Sequence, residues 1–210
     1  MTSIRIIDYG VGNLHSALKA FKLFSGDCSM TEDPDELRNA SGIVLPGVGA
    51  FEAGMEGLRS RGLIDTVKEV ARSGTPVLGI CLGEQLLLNK GFEFGEHEGL
   101  GIIPGNVKRF PDIGMRIPHI GWNEIRKDRP WTGTILDGIG ETPEMYFVHS
   151  YYLEPQSPDH SLATTQYGDF SFTSVVRDGN VYGCQFHPEK SGKIGLRIIE
   201  NFLRLVEESV

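Results

Sequence analysis

Short apolar runs alternate with helix-like patterns of apolar residues through the first half of the chain. Strands are predicted over residues 4–8, 28–31, 42–45 and 76–80. Helices are predicted over 14–21, from 34 onward, over 51–58, over 64–71 and over 82–89. This alternation is typical of a parallel sheet with helices on both faces, and such sheets bind ligands at the carboxyl ends of their strands.

The second half has a different pattern. Strand-like runs are predicted over 105–110, 120–125, 145–153, 162–166, 172–176 and 181–186, separated by Gly, Pro, Asp and Asn turns. A final amphipathic helix is predicted over 194–206. We therefore expect an α/β fold with a mostly parallel central sheet, helices on both faces and an antiparallel β extension in the second half. No repeat or linker interrupts the pattern, which predicts one domain over residues 1–210.

Length and charge exclude several classes of function. The chain has 210 residues, which suits one domain and is too short for a two-domain synthase. A net charge of −8 argues against broad contact with a nucleic-acid backbone. The sequence contains neither an apolar run near the roughly 18 residues of a membrane helix nor the pattern of a signal peptide. We therefore expect a cytoplasmic protein whose three cysteines are free thiols.

Cys81 lies where a predicted buried strand passes into a predicted helix. The sequence GICLG over 79–83 has the pattern of a nucleophile elbow with Cys in place of Ser, and its glycines permit the sharp turn that raises a nucleophile above the sheet edge. Backbone N–H groups at a helix start favour a thiolate and stabilise an oxyanion. Without a partner base, an ordinary buried cysteine would be the better interpretation.

His187 is the candidate base among six histidines. It follows the predicted strand over 181–186, and Glu189 stands two residues further on. An imidazole beside the thiol accepts its proton and returns it to a leaving amine, while a carboxylate orients the ring. His-Pro-Glu alone is more often an ordinary turn, but beside a cysteine elbow on the same sheet edge it favours catalysis.

A third element and two weaker patterns complete the candidates. The turn PGVG over 46–49 follows a strand and offers backbone amides to an oxyanion, although it would also serve as a tight strand-to-helix connection. The segment GVGNLH over 10–15 lacks the third glycine of a dinucleotide fingerprint. Glu96, His97 and Glu98 lie in a polar loop typical of a solvated surface. We expect a thiol-based acyl-transfer site with no cofactor and no metal.

Two segments resemble the class I glutamine amidotransferases, whose triad is Cys, His and Glu. These are PVLGICLGEQ (76–85) and GCQFHPEKS (183–191). More selective segments narrow the resemblance to glutaminase subunits that serve a (β/α)₈ cyclase of histidine biosynthesis. They are DYGVGN (8–13), PGVGAF (46–51), PHIGWN (118–123) and YFVHSY (146–151). The resemblance therefore covers nearly the whole chain.

The resemblance implies a role for each matching residue. Catalysis is assigned to Cys81 as the nucleophile, His187 as the general base and acid, and Glu189 as the group that orients the imidazole. The implied oxyanion amides belong to Gly47, Val48 and Leu82. The implied L-glutamine ligands are Gly49, Gln85, Ser150 and Tyr151. The implied contacts with the cyclase subunit of a heterodimer are Asn13, Trp122, Asn123, Tyr146 and Lys190. Without the resemblance, Trp122 would be assigned to the core.

One position departs from the family pattern. The nucleophile segment usually carries Met where this chain has Glu84. An acid in the first turn suits the helix dipole, but it would oppose thiolate formation at Cys81 if it faced the site. The departure leaves three alternatives open: a cyclase partner, an N-acetyl sugar amidotransferase partner in surface polysaccharide synthesis, and a noncatalytic regulatory subunit. A cysteine peptidase is disfavoured because the matching ligands form a small-molecule pocket.

Overall fold

The computed structural model of the chain describes residues 2–209. Its strands are β1 (Ser3–Ile7), β2 (Asp27–Thr31), β3 (Gly42–Gly47), β4 (Val77–Cys81), β5 (Leu88–Gly91), β6 (His97–Glu98), β7 (Ile103–Arg109), β8 (His119–Glu124), β9 (Arg126–Lys127), β10 (Glu144–His149), β11 (Tyr151–Pro155), β12 (Ser161–Tyr167), β13 (Phe170–Asp178) and β14 (Val181–Cys184). Its α-helices are α1 (Leu14–Phe21), α2 (Pro34–Arg38), α3 (Phe51–Ser60), α4 (Leu63–Arg72), α5 (Leu82–Leu86) and α6 (Gly192–Glu208). Short 3₁₀ turns span Pro158–His160 and Pro188–Lys190.

Local sequence signals set several helix ends. The Asp35 backbone N–H donates to Asp33 Oδ1 at 2.8 Å, and Pro34 occupies the first position of α2. Gly74, with φ of +91°, follows α4 as the sequence predicts. Between residues 2 and 209, no helix is long and apolar enough to cross a membrane.

The main sheet places a strand from the second half beside the strands of the first. Its order is β2-β1-β3-β4-β14-β13-β11-β7-β5-β6, and β12 pairs with both β13 and β9. Five strands, in the spatial order β2, β1, β3, β4 and β14, pair with one another in parallel. Beyond β14, the strands β13, β11 and β7 pair antiparallel, and β5 is parallel to β7. This confirms the predicted parallel sheet with an antiparallel extension, and it puts the end of β14 next to the end of β4.

Both faces of the parallel sheet are covered by helices. Adjacent residues of β3 belong to different apolar clusters: Val44 packs on the side of α1 and α6, whereas Leu45 packs on the side of α3 and α4. Phe202 of α6 and Met55 of α3 are among the buried side chains of the two clusters. Burial on both faces explains why the strands are nearly continuous apolar runs.

The helix after Cys81 is shorter than the sequence predicts. The prediction of a helix over 82–89 is wrong beyond Leu86, because α5 ends there and β5 begins at Leu88. The backbone N–H of Leu100 donates to the Leu86 carbonyl at 2.8 Å, and that of Ile102 donates to the Leu87 carbonyl at 2.9 Å. In a longer helix these carbonyls would accept N–H groups of the next turn. Here they accept N–H groups from residues 100 and 102 instead, and the helix ends.

Residues 145–153, predicted as one strand, form two strands in different sheets. β10 ends at His149 and pairs with β8 in a separate two-stranded sheet. β11 begins at Tyr151 and pairs with β7 and β13 in the main sheet. The chain therefore changes sheets at Ser150, whose carbonyl accepts a hydrogen bond from the Phe110 N–H at 3.1 Å.

Candidate active site

Cys81 occupies a strained turn at the carboxyl end of β4. Its φ is +55° and its ψ is −110°, a conformation that a residue other than glycine rarely adopts. The flanking glycines make this turn possible. A Cβ on Gly83 would lie 1.6 Å from the Leu45 carbonyl oxygen, and a Cβ on Gly79 would lie 2.7 Å from Glu84 Cα. The elbow therefore presses directly against β3 and requires glycine at both positions.

The elbow opens on a cavity of about 320 Å³. This volume is at the small end of ligand pockets, which are roughly 300–1,000 Å³. The cavity is lined by Val48, Gly49, Cys81, Leu82, Gln85, Glu93, Pro118, Val148, His149, Ser150 and Tyr151. The lining thus contains the candidate nucleophile, the four implied glutamine ligands and two of the three implied oxyanion residues, while Gly47 lies outside it.

His187 reaches the same sheet edge through the pairing of β14 with β4. Its Nδ1 lies 2.8 Å from Glu189 Oε1, and both side chains are almost fully buried. Its Nε2 has no hydrogen-bond partner within residues 2–209. Burial lowers the pKa of His187, but the nearby Cys81 thiol and the hydrogen-bonded Glu189 carboxylate outweigh this effect and raise the pKa to about 9. At neutral pH the ring is therefore an imidazolium beside the thiol, which is the partner that a thiolate needs.

A hydrogen bond from Tyr9 holds the turn after β3 in place beside Cys81. In the parallel ladder Gly47 lies opposite Cys81. The Tyr9 hydroxyl donates to the Pro46 carbonyl at 2.7 Å, and a Cβ on Gly47 would lie 2.2 Å from that hydroxyl oxygen. Gly49 has φ of +121°, so the turn needs glycine there as well. Val48 and Gly49 on this turn and Leu82 on the elbow all line the cavity.

Gln85 and Gln185 form a buried pair beside the thiol. Gln85 Nε2 donates to Gln185 Oε1 at 3.0 Å and to the Tyr151 carbonyl at 3.3 Å. Gln185 Nε2 donates in turn to Cys81 Sγ at 3.8 Å. Both amide hydrogens of Gln85 are thereby used within the protein, which leaves its Oε1 to accept from a ligand. Sequence reasoning missed Gln185, although it lies within the segment GCQFHPEKS.

Glu93 is a second residue that the sequence analysis missed. It supplies the one carboxylate in the cavity lining. Its Oε2 accepts the backbone N–H of Phe51 at the start of α3, at 2.8 Å, so the other oxygen remains for a ligand. Glu93 stands in the loop between β5 and β6, and no spacing or motif distinguished it there.

Glu84 points into the protein, away from the cavity. Its side chain is fully buried, and neither carboxyl oxygen has a hydrogen-bond partner among the described residues. Burial raises the pKa of Glu84 well above its usual value, and the charge of Cys81 raises it further. The environment of Glu84 therefore disfavours its ionised form, which limits the negative charge that it could place near Cys81.

The residues implied at a partner surface have different environments. Trp122 is 55% exposed and meets the half-buried Tyr146 edge-on, with ring centroids 6.1 Å apart. Asn13 and Lys190 are exposed. Asn123 is partly buried, and its Nδ2 donates to the Gln166 carbonyl at 2.9 Å. The assignment of Trp122 to the core that the sequence alone would favour is wrong.

The acidic loop around His97 forms ion pairs within the chain. Lys90 Nζ lies 2.5 Å from Glu96 Oε1 and 3.6 Å from Glu98 Oε1. His97 Nδ1 is 3.7 Å from Glu52 Oε1. In the described part of the chain, no group of three or more His, Cys, Asp or Glu side chains is arranged to hold a metal ion.

Comparison with known proteins places this geometry in a family. The profile of glutamine amidotransferase class-I matches residues 5–206. Imidazole glycerol phosphate synthase subunit HisH 1 of Legionella pneumophila (strain Lens) is 48% identical over 98% of this chain and 100% of its own length. Subunit HisH of Moorella thermoacetica is 46% identical over 100% and 98%, and that of Salinibacter ruber is 47% identical over 95% and 93%.

Solved structures show the same fold at lower identity. A glutamine amidotransferase has a TM-score of 0.75 at 20% identity, over 97% of this chain and 98% of its own. The PurLQS structure from Thermotoga maritima has a TM-score of 0.74 at 17% identity, over 97% and 98%. Because the family profile and the relatives both extend over nearly the whole sequence, the chain belongs to the class-I glutamine amidotransferases and, within them, to the HisH subunits of imidazole glycerol phosphate synthase.

Proposed function

We propose that this chain, as one domain over residues 1–210, hydrolyses L-glutamine to glutamate and ammonia for an imidazole glycerol phosphate synthase in histidine biosynthesis. The observation that carries the proposal is the strained Cys81 elbow, which opens on a small cavity beside an imidazole that Glu189 orients. A thiol and an imidazolium held together in this way form the nucleophile and general acid of acyl transfer.

The first step is attack by the Cys81 thiolate on the side-chain carboxamide carbon of glutamine. The carbonyl π electrons move onto oxygen as the C–S bond forms, and the resulting oxyanion needs N–H donors nearby. Leu82 and Val48 line the cavity together with Cys81, and Gly47 lies opposite Cys81 in the ladder, so we assign the oxyanion site to the backbone amides of these three residues. Leu82 is suited to this role because the first N–H groups of a helix have no partner within the helix.

The second step expels ammonia. His187 holds a proton on Nε2 while Glu189 accepts the hydrogen bond from Nδ1–H. Transfer of the Nε2 proton to the nitrogen lets the C–N bond break, leaving a γ-glutamyl thioester on Cys81. The now neutral His187 then takes a proton from water, whose oxygen attacks the thioester and releases glutamate and the thiolate.

The α-ammonium and α-carboxylate groups of glutamine need partners in the cavity wall. Glu93 presents one carboxylate oxygen there, which suits the α-ammonium group. Gln85 presents Oε1, and Gly49, Ser150 and Tyr151 complete the wall. We assign the recognition of L-glutamine to these residues, which line a cavity of about 320 Å³.

The product determines the kind of partner. Ammonia released into neutral water is protonated to ammonium and is then no longer a nucleophile, so it must pass directly to an acceptor site. We propose that a (β/α)₈ cyclase subunit forms a heterodimer with this chain over the surface that carries Trp122, Tyr146, Asn13, Asn123 and Lys190. The relatives above are named as subunits of imidazole glycerol phosphate synthase, which favours this partner over an N-acetyl sugar amidotransferase.

The test measures glutamate release with the cyclase subunit and its ligand present. The variant Cys81→Ala is expected to make no glutamate above the uncatalysed rate and to acquire no mass from a glutamine-analogue electrophile. Cys28→Ala is the matched control, because Cys28 is another buried free thiol remote from the cavity. Glutamate formation by a folded Cys81→Ala chain would exclude the proposed mechanism, and an inert wild-type thiol would favour a noncatalytic subunit.

A further inference from the structure

Two buried histidines link the surface strand β8 to the wall of the cavity. Asn123 Nδ2 lies 3.3 Å from His119 Nε2. His119 Nδ1 lies 3.0 Å from His149 Nε2, and His149 Nδ1 lies 2.8 Å from the Tyr151 carbonyl oxygen. We call Asn123, His119, His149 and the Tyr151 carbonyl the histidine relay. The Tyr151 carbonyl also accepts from Gln85, so the relay continues through the glutamine pair toward the thiol.

The direction of every hydrogen bond in the relay is determined. A carbonyl oxygen only accepts, so His149 carries its proton on Nδ1 and accepts at Nε2. His119 must then donate from Nδ1 and accept at Nε2. Asn123 supplies that last hydrogen, and its amide cannot be reversed, because its Oδ1 accepts the Glu124 N–H at 2.8 Å and its Nδ2 donates to the Gln166 carbonyl. Each ring is therefore held in a single tautomer and orientation.

Packing holds the two rings in place. His119 is 3% exposed and lies between Phe147 and Tyr167, with centroid distances of 4.9 and 4.1 Å. Burial lowers the pKa of His119 to about 4 and that of His149 to about 3, so both rings are neutral at physiological pH. A ring that turned would leave a buried donor or acceptor without a partner, which costs about 1–3 kcal/mol.

The relay ends where the chain passes from one sheet to the other. Ser150 is the single residue between β10 and β11, and it lines the cavity with Tyr151. The relay meets Gln85 at the Tyr151 carbonyl, which both of them bond. Asn123 stands at the opposite end, next to the exposed Trp122 on β8.

We propose that the histidine relay is a positioning device, which sets the Tyr151 carbonyl and the Gln85 amide for glutamine binding according to the placement of β8. The proposal rests on the glutaminase function proposed above. His119 and Asn123 are positioning residues, since neither lines the cavity, whereas His149 forms part of its wall. Loss of the relay should weaken glutamine binding more than it slows the chemical steps, which depend on Cys81 and His187.

The principal variant is His119→Phe, which keeps a ring between Phe147 and Tyr167 and removes both hydrogen bonds. Steady-state kinetics would be measured on the complex at saturating cyclase subunit and ligand. The KM for glutamine is expected to rise by about fivefold to tenfold, which corresponds to one buried hydrogen bond, while kcat changes by less than about twofold. His119→Asn, which keeps a donor near the position of Nδ1, is expected to recover most of the affinity.

Asn123→Ala removes the hydrogen bond at the outer end of the relay. This second variant tests the proposal independently if His119→Phe does not fold. It should also raise the KM for glutamine, and in the His119→Phe background it should add nothing further, because both changes interrupt one path. Tyr167→Phe is the control: it keeps the stacked ring, loses only a hydrogen bond to the Arg116 carbonyl and should leave the KM unchanged.

The outcomes separate this proposal from the proposed function. If the wild-type complex releases no glutamate, the glutaminase function fails. If the wild type is active but the KM for glutamine of folded His119→Phe lies within about twofold of the wild-type KM, the proposed positioning role of the relay is overturned. Additive effects of His119→Phe and Asn123→Ala, or a fall in kcat at unchanged KM, would overturn it equally.

Discussion

The Glu84 side chain fills the space beside Gly183. A Cβ placed on Gly183 would lie 2.4 Å from Glu84 Cγ, so no larger residue than glycine fits on β14 at this point. The fit encloses the Glu84 carboxyl between β14 and the elbow, where neither oxygen has a partner in the described part of the chain. A buried acid without hydrogen bonds destabilises the fold, and ionisation would increase that cost.

Glu84→Met is therefore expected to stabilise the protein by about 1–3 kcal/mol near neutral pH. Because the folded-state pKa of Glu84 is raised, the stability linked to its protonation is fully present below the ordinary value of 4.5 and is lost as pH rises through the folded value. The gain from Glu84→Met should accordingly be larger at about pH 8 than at about pH 5 in urea denaturation. Glu141→Met, at an exposed position, serves as the control. An equal gain at both pH values would show that ionisation of Glu84 is not involved.

Glu189→Gln tests the carboxylate that orients His187. Loss of its charge lowers the pKa of His187 from about 9, so the imidazolium gives up its proton at lower pH than in the wild type. We expect kcat for glutamate release to fall by roughly 10²- to 10⁴-fold, as in related triads. The pH dependence of kcat should shift to lower pH in parallel, and an unshifted profile would contradict this role for Glu189.

Glu93→Gln tests the assignment of the α-ammonium site. Because a carboxylate would pair with a charged amine, its neutral substitute should raise the KM for glutamine by about tenfold or more. Glu96→Gln is the matched control, since Glu96 belongs to the same loop, pairs with Lys90 and lies outside the cavity. Equal effects of the two substitutions would assign the change to the loop rather than to substrate binding.

Gly83→Ala tests the packing of the elbow against β3. The new Cβ would lie 1.6 Å from the Leu45 carbonyl oxygen, a backbone atom that cannot move without disturbing the sheet. We expect a loss of stability on the order of 3 kcal/mol or more in thermal or urea unfolding. Gly26→Ala provides the comparison, because nothing lies within 4 Å of its Cβ, and it should change stability little. A Gly83→Ala protein as stable as the Gly26→Ala protein would contradict the close approach.

Trp122→Ala separates stability from partner binding. A side chain that is 55% exposed contributes little to folding, so the variant should unfold within about 0.5 kcal/mol of the wild type. Its affinity for the cyclase subunit should fall by about thirtyfold, as expected for an exposed aromatic anchor at an interface. Unchanged affinity in a titration calorimetry experiment would remove Trp122 from the proposed contact surface.

Much of the fold follows from local patterns. The alternation of apolar runs with helical spacing predicts the parallel sheet, because a strand buried on both faces must be apolar along its length. Asp33 with Pro34 and the glycine at 74 mark helix ends, because capping and left-handed turns depend on one or two adjacent residues. The segment around Cys81 likewise predicts the elbow, since its glycines and its turn lie within five residues.

Other features depend on partners that are distant along the chain. The pattern over 82–89 is helical, yet α5 ends early because the backbone at 100 and 102 takes the carbonyls of Leu86 and Leu87. The apolar run over 145–153 gives no sign of its break at Ser150, because its two halves pair with strands of different sheets. Hydrogen bonds between segments that are far apart in the chain produce no local pattern of apolar and polar residues, so the sequence pattern does not predict them.

The polar residues show most clearly which features the sequence determines and which depend on the tertiary structure. The sequence alone determined that Cys81, His187 and Glu189 are candidates, because their chemistry and spacing are visible within short segments. Only the tertiary structure decided that Glu84 faces the interior, that Glu93 faces the cavity and that the relay histidines meet end to end. The direction of a side chain and the groups around it depend on which strands become neighbours, and that is determined by packing across the whole sheet.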